Sequence, residues 1–345
     1  MTTRAAAAQY AAGMRLTGVG SSAPAKIMTN DDLGKLVETN DEWISARTGI
    51  RARRILAEGE SINDHAIAAA RAALDMAGVA GEDVDMVIMC TSSPDDLFGS
   101  ACQVQAAIGA TGAVAFDLTA ACSGFVVGLI TATMYLRCGA ARNIVLIGAD
   151  GLSRYVDWGD RNTCILFGDG AGAVVMQGDA GAGGSCALLG QAMHSNGEGN
   201  KSLNAPFGHN VDKPASGADV GRHAEFQNLY MNGREVFRFA VRSVPDVIQE
   251  ALDSAGITKD DVDWLVLHQA NQRILDSTAD RFEFPKERVV TNLERYGNTS
   301  AASIPLVLDE AVRDGRIKGG DVLAFAGFGA GLTWASAIAR WGVKS

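Results

Sequence analysis

The chain has 345 residues, 47% of them hydrophobic and 20% charged, with 40 glycines and 7 prolines. That gives room for two packed halves around a large core, and many glycines with few prolines suit tight turns rather than a disordered chain. A net charge of −10 argues against a general nucleic-acid surface, and no apolar run reaches the roughly 18 residues of a membrane span.

Residues 1–13, MTTRAAAAQYAAG, are Ala-rich and acid-free and read as a flexible N-terminus. They lack the basic start and clean apolar core of a signal peptide, although the trimmed end of an organelle-targeting peptide is an alternative. Residues 72–90, AALDMAGVAGEDVDMVIMC, predict a helix tail, a stop at Gly78, an acidic turn and an apolar strand. AVAFDL (113–118) ends a further strand. Cys122 follows within DLTAACSGF (117–125) and opens an apolar helix, SGFVVGLITATMYLRCG. A sulfur there faces the positive end of the helix, an environment that favours thiolate over thiol. The small residues Ala120, Ala121, Ser123 and Gly124 permit a sharp turn and close substrate approach. A buried cysteine can equally be a space-filler. None of the six cysteines (Cys90, Cys102, Cys122, Cys138, Cys164, Cys186) forms a C-x-x-C pair, which speaks for reduced thiols inside a cell.

The Gly-rich run GDAGAGG (178–184) reads as a boundary, dividing the chain into halves at 14–184 and 185–345. Residues 195–229 are polar and irregular and read as a long surface excursion. Residues 250–268, EALDSAGITKDDVDWLVLH, then repeat the pattern of 72–90 at an offset of 250 − 72 = 178. GDGAG (168–172) resembles GFGAG (327–331), and YLRCGAARNIVLIGAD (135–150) runs like AVRDGRIKGGDVLAFAG (311–327). A duplicated α/β unit follows, with mainly parallel sheets packed back to back through shared helices. His268 ends a strand of the second half, at the place Cys90 holds in the first. Asn298, in RYGNTSAASIP, precedes the second half's central helix, where it could also serve as a turn residue or N-cap. Pseudo-twofold packing would bring Cys122, His268 and Asn298 together at strand ends, where ligand chemistry gathers in α/β sheets. The glycine loop 327–331 could add backbone N–H donors.

Six segments carry a family resemblance: DEWISARTGIRARR (41–54), TAACSGF (119–125), FGDGAGAVV (167–175), HQANQRI (268–274), GNTSAASIP (297–305) and GFGAGLTW (327–334). From about residue 14 to the C-terminus the chain resembles β-ketoacyl-acyl-carrier-protein synthase III. These are the initiating condensing enzymes of type II fatty-acid synthesis, within the thiolase-like superfamily. The resemblance implies a five-layered αβαβα fold built from two duplicated halves. It also implies a homodimer in the bacterial cytosol, or in the plastid stroma once a transit peptide is removed.

By the same resemblance the catalytic set is Cys122, His268 and Asn298. Cys122 would take a short acyl group, acetyl above all, from acyl-CoA, with the backbone N–H groups of Cys122 and Ala330 holding the oxyanion. His268 and Asn298 would hold the thioester carbonyl of malonyl-acyl carrier protein as CO2 leaves, and the carbanion would attack the acyl group to give a 3-oxoacyl-carrier protein. CoA thioesters are substrates, and no metal or other cofactor is implied. Trp43 would stack on adenine with Arg161 on its other face, Arg47 at the phosphates, Thr39 nearby and Asn271 at the pantetheine arm. Phe98 would cap the acyl pocket from the neighbouring subunit and favour short chains. Arg238 and Arg273 would form a basic rim for the acidic carrier protein, with Asp280 beside Arg281 weakening it. Ala330 stands where the family often has glycine, tolerable if its φ is negative. Two other readings stay open: a relative that transfers acyl groups without condensing or makes a polyketide-type product, and a silent scaffold that only binds carrier protein.

Overall fold

The computed structural model describes residues 13–179, 187–210 and 223–342. Two sheets organise them. The first holds β1 (Gly13–Ser22), β2 (Met86–Cys90), β3 (Val114–Leu118), β4 (Asn143–Gly151) and β5 (Asp169–Asp179), in the order β1-β5-β4-β2-β3. The second holds β6 (Leu188–Ser195), β7 (Trp264–Leu267), β8 (Val322–Gly329) and β9 (Thr333–Arg340), in the order β6-β9-β8-β7. The two orders match strand for strand. Where the first sheet continues into β3, the second has a single bridge from Leu265 to Val289.

The sheets are mixed rather than mainly parallel. Only β4–β2, β2–β3 and β7–β8 pair in parallel. The returns from β4 to β5 and from β8 to β9 contain no crossover helix long enough to restore a parallel direction, so both pairs are antiparallel. The likeness of GDGAG to GFGAG does not fall on equivalent positions: the first opens the antiparallel β5, whereas the second is strand as far as Gly329.

Helices supply the other layers. α1 (Asp41–Thr48) lies beside the sheets, and α2 (Ile62–Ala77) and α3 (Ala101–Ala107) cover the outer face of the first. α4 (Gly124–Arg137) carries no charge before Arg137 and is buried along most of its length. It touches both sheets, as does α7 (Ser303–Arg313), while α5 (Gly233–Ala255) and α6 (Gln272–Phe282) cover the second sheet. A helix between two sheets has no solvated side, which is why the apolar residues of α4 are not confined to one stripe. The result is five layers, αβαβα. α2 and α5 stop the same way, at Gly78 (φ +66°) and Gly256 (φ +67°), both left-handed.

The sequence-predicted boundary at 178–184 falls largely on residues 180–186, outside the described residues. Residues 1–12 also lie outside them, and Gly13 belongs to β1, paired with Asp179. The 195–229 excursion is partly built: Leu203–Asn204 pairs with Tyr230–Met231, and Phe207–Asn210 with His223–Phe226.

The halves meet through two backbone elbows. Ala121–Ser123 leads into α4 and Ser300–Ala302 into α7, each a short 3-10 turn. Their first residues correspond (300 − 121 = 179) and both have positive φ, +46° at Ala121 and +53° at Ser300. Each elbow rests on a glycine of a central strand. A Cβ on Gly148 would lie 2.2 Å from Ala301 O, and one on Gly327 would lie 3.1 Å from Ser123 Cα. Gly148→Ala is therefore expected to destabilise the fold by about 1–3 kcal/mol, read as a lower urea midpoint. A wild-type midpoint would show that the elbow can give way.

Candidate active site

Cys122 sits at the first elbow, buried, with its Sγ accepting a hydrogen bond from Ser300 Oγ at 3.3 Å. Burial pushes its thiol up to about 12, and the negative charge of Asp150 pushes the same way, against the Ser300 hydrogen bond. The expected preference for thiolate is thus not met. Desolvation outweighs the helix end, and the free protein holds a protonated thiol.

His268 follows β7, its N–H bonded to Ala326 O at 2.8 Å. Its Nδ1 lies 2.8 Å from Ser303 Oγ, and its ring meets Phe328 edge-on at 5.3 Å. Burial drives it down to about 3, only partly offset by the Ser300 carbonyl, so the imidazole is neutral. Asn298 is fixed through its backbone: its N–H donates to Leu166 O (2.8 Å) and its carbonyl accepts from Gly168 N (3.0 Å). Its Oδ1 accepts from Ser300 N at 2.9 Å. With that oxygen engaged, Nδ2 is the end of the carboxamide left to donate.

One cavity of about 230 Å³ is lined by all three residues, together with Phe328 and Gly329 of β8. Gly329 is required there, since a Cβ would come 2.6 Å from Cys122 N. Ala330 is the next residue along the chain, and it is not among the described positive-φ residues, so the condition on an alanine there is satisfied. Leu203, from the excursion read as surface, and Met231 just after it also line this cavity and form part of its wall.

Toward the outside, Trp43 projects from α1. The guanidinium carbons of Arg47 and Arg161 lie 4.4 and 4.8 Å from its ring centroid. Arg161 also donates to Glu38 O at 2.9 Å, and the buried Thr39 Oγ1 has no hydrogen-bond partner. Asn271 caps α6 through Arg273 N (2.9 Å), and its Nδ2 donates to Arg47 O (3.2 Å), tying the two halves together at the cavity mouth. Asn271 and Arg273 both line the cavity. Arg238 is exposed on α5 and paired with Glu235 at 3.0 Å, and Asp280 is paired with Lys286 at 3.1 Å. Phe98 does not line the cavity: its side chain is 94% exposed, beside Leu97 at 85%.

Three residues were missed as site candidates. Ser300 and Ser303 lie inside the quoted motif GNTSAASIP, but hydroxyls among small residues look like packing. Asp150 is the lone acid closing the apolar strand NIVLIGAD, which is the signal the sequence offers for it.

Residues 116–197 match the family model for 3-oxoacyl-[acyl-carrier-protein (ACP)] synthase III, and residues 252–341 match its C-terminal counterpart. The chain is similar to "Beta-ketoacyl-[acyl-carrier-protein] synthase III B, chloroplastic" of Cuphea wrightii, with 56% identity over 96% of this chain and 83% of that protein. It is similar also to beta-ketoacyl-[acyl-carrier-protein] synthase III of Microcystis aeruginosa, with 54% identity over 96% of this chain and 99% of that one. The crystal structure of 3-oxoacyl-[acyl-carrier-protein] synthase III from Aquifex aeolicus superimposes with a TM-score of 0.86 at 42% identity, covering 95% of this chain and 100% of that one.

A raised thiol predicts how Cys122 reacts in the free protein. Its alkylation by iodoacetamide, mapped by peptide mass, should keep climbing from pH 7 to pH 10, because the thiolate fraction grows throughout that range. A rate that levels off below pH 8 would mean the thiolate is already formed there.

Proposed function

The chain belongs to the β-ketoacyl-[acyl-carrier-protein] synthase III family, the initiating condensing enzymes of fatty-acid synthesis, and on that premise we propose that Cys122 carries the acyl group between two substrates. In the first half-reaction its sulfur attacks the carbonyl of a short acyl-CoA, acetyl-CoA above all. The oxyanion is held by the N–H groups of Cys122 and Ala330, the C–S bond to CoA breaks, and CoA leaves. In the second, malonyl-acyl carrier protein enters and loses CO2. The neutral His268 keeps an N–H, and Asn298 offers Nδ2, to the enolate oxygen. The carbanion attacks the acyl-Cys122 carbonyl, which gives a 3-oxoacyl-carrier protein and frees the cysteine. Neutral donors suit this task, because the enolate charge then forms in a dry site beside fixed dipoles. The observation that carries the reading is the convergence of a protonated thiol, a neutral imidazole and an oriented carboxamide on one small cavity. No cofactor beyond the CoA thioester enters the scheme.

The Trp43 indole, with Arg47 and Arg161 over it, suits the adenine and phosphates of CoA. Thr39 lies nearby with its buried hydroxyl unpartnered, and Asn271 stands where the pantetheine arm would enter. Arg273 on the cavity wall and the exposed Arg238 of α5 suit an acidic carrier protein, a local field on a chain of net charge −10. We assign Phe98 to the acyl pocket of a second copy, because a loop with Leu97 and Phe98 so exposed, near the open edge strand β3, suits a homodimer that extends the sheet. The reaction is assigned to the bacterial cytosol, with the plastid stroma as second choice, since the matching relatives include a bacterial protein and one named chloroplastic. No described helix is long and apolar enough to cross a membrane.

Mixed with acetyl-CoA, the protein is expected to gain one acetyl group on the Cys122 peptide by intact-mass and peptide analysis, and Cys122→Ala none. His268→Ala and Asn298→Ala should still load, yet release CO2 from malonyl-carrier protein about 100-fold more slowly. Trp43→Ala should raise the half-saturating acyl-CoA concentration about 10-fold, equivalent to ~1.4 kcal/mol. Acetyl on another thiol, or full condensation by Cys122→Ala, would overturn the assignment. The dimer is checked by sedimentation equilibrium, which should report twice the chain mass; a monomer at micromolar concentration would remove the role given to Phe98.

A further inference from the structure

Ser300 touches every member of the site. Its N–H holds Asn298 Oδ1, its hydroxyl bonds Cys122 Sγ at 3.3 Å, and its carbonyl faces His268. It does so from a left-handed backbone, φ +53°, which an L-residue adopts only when its surroundings hold it there. Behind it, at the end of β4, lies the fully buried carboxylate of Asp150. Asp150 accepts from Ser92 N (2.8 Å), Ser93 Oγ (2.9 Å), Thr91 Oγ1 (3.2 Å) and Ala301 N (3.2 Å), and the neighbouring Ser300 hydroxyl favours its charged form. No lysine or arginine is among these partners. The titratable groups that bear on it are Cys122 at the elbow and Cys90 on β2, whose thiol burial pushes up, with the charges of Asp150 and of Asp117 on β3 adding to it. A buried carboxylate with no cation is costly to keep, and burial accordingly shifts it toward the protonated form.

We propose that Ser300 and Asp150 form a proton relay behind Cys122, taking up the thiol proton on acylation and returning it on condensation. The inference rests on the reading that Cys122 is acylated. In the first half-reaction the Ser300 O–H, which at rest donates to Cys122 Sγ, turns toward Asp150; the Cys122 S–H bond then breaks and its proton passes to Ser300 Oγ, while the Ser300 O–H proton passes to Asp150. The sulfur forms its bond to the acyl carbon, and CoA departs as a thiolate that is protonated by water. Asp150 is then neutral for the life of the acyl-enzyme. In the second, the malonyl carboxylate leaves as CO2, the carbanion takes the acyl group, and Cys122 is released as thiolate. Asp150 returns its proton through Ser300, and the resting thiol is restored. The thiol at about 12 states the need, since few molecules carry thiolate at neutral pH. The nearby imidazole, held at about 3, is a poor acceptor.

The test is the single-turnover rate of acetyl loading from saturating acetyl-CoA, followed by intact mass in wild type, Ser300→Ala, Ser300→Gly and Asp150→Asn. Ser300→Ala removes only the hydroxyl and keeps the N–H and carbonyl that hold Asn298 and face His268. Ser300→Gly removes it while relieving the backbone strain. Both should load about 100-fold more slowly at pH 7, with the half-saturating acetyl-CoA unchanged. Both should gain close to tenfold per pH unit where the wild type is flatter, because only pre-formed thiolate then reacts. Infrared difference spectra should show a carboxylic-acid band appearing on acylation of wild type and missing in Asp150→Asn. Wild-type loading rates and pH profile in Ser300→Ala, or recovery in Ser300→Gly alone, would overturn the relay. Failure of the wild type to load at Cys122 would instead overturn the function on which it rests.

Discussion

The site depends on one backbone constraint: each half's elbow is pressed against a central strand at a position where only glycine fits. Gly148 on β4 lies under Ala301, and Gly327 and Gly329 on β8 lie under Ser123 and Cys122. A methyl group at Gly148 or Gly329 would hold elbow and strand apart by a large part of a bond length, and one at Gly327 by a few tenths of an ångström. That contact fixes where α4 and α7 begin, and so where their N-terminal residues point. Cys122 comes from the first half and His268, Asn298 and Ser300 from the second, so no half could assemble the site alone. Asn271, bonded to the carbonyl of Arg47, repeats the arrangement at the mouth.

Bringing polar groups this close to an apolar core decides their charge. Cys122, His268 and Asp150 are all shifted toward their neutral forms, and burial is the first cause for each. A site that must host a transient enolate gains from this, because no resident ion competes for its donors and the dipoles are already aimed. Opposed to that is the work of moving a proton off a reluctant thiol. Charges are confined to the rim instead, where Arg47, Arg161 and Arg273 remain exposed to solvent.

The duplication was legible because helix stops and apolar strands leave strong local marks: Gly78 and Gly256 recur at the same place in each half and take the same conformation. The family motifs named the cavity residues Cys122, His268 and Asn298 for the same reason, being short and contiguous. Strand direction was less legible. The turn 330–332 and the segment 152–168 both return the chain antiparallel, and nothing in the composition of β5 or β9 says so in advance. The state of Cys122 was misread because a helix end is visible in a sequence, whereas the removal of water around a sulfur depends on residues from β4, β8 and the second elbow. Asp150 and Ser300 were passed over on the same ground: one acid and one serine mean little until a fold sets them back to back.

The two elbows also show how one of a pair of equivalent places becomes a reaction centre. A shift of 179 carries Cys122 onto Ala301, and Asp150 onto Gly329 (329 − 150 = 179). At the second elbow the Ala301 N–H is taken by the Asp150 carboxylate at 3.2 Å. At the first, Gly329 stands in the corresponding place, with no side chain to accept from Cys122 N. The N–H that a carboxylate occupies in one half therefore lacks that partner in the other, which suits the oxyanion role proposed for Cys122 N. Meanwhile the carboxylate that closes the second elbow lies behind Ser300, whose hydroxyl bonds the sulfur, and its charge is felt there. A single difference between equivalent strands, glycine in one and aspartate in the other, thus leaves one elbow's N–H without a carboxylate and places an acid behind it.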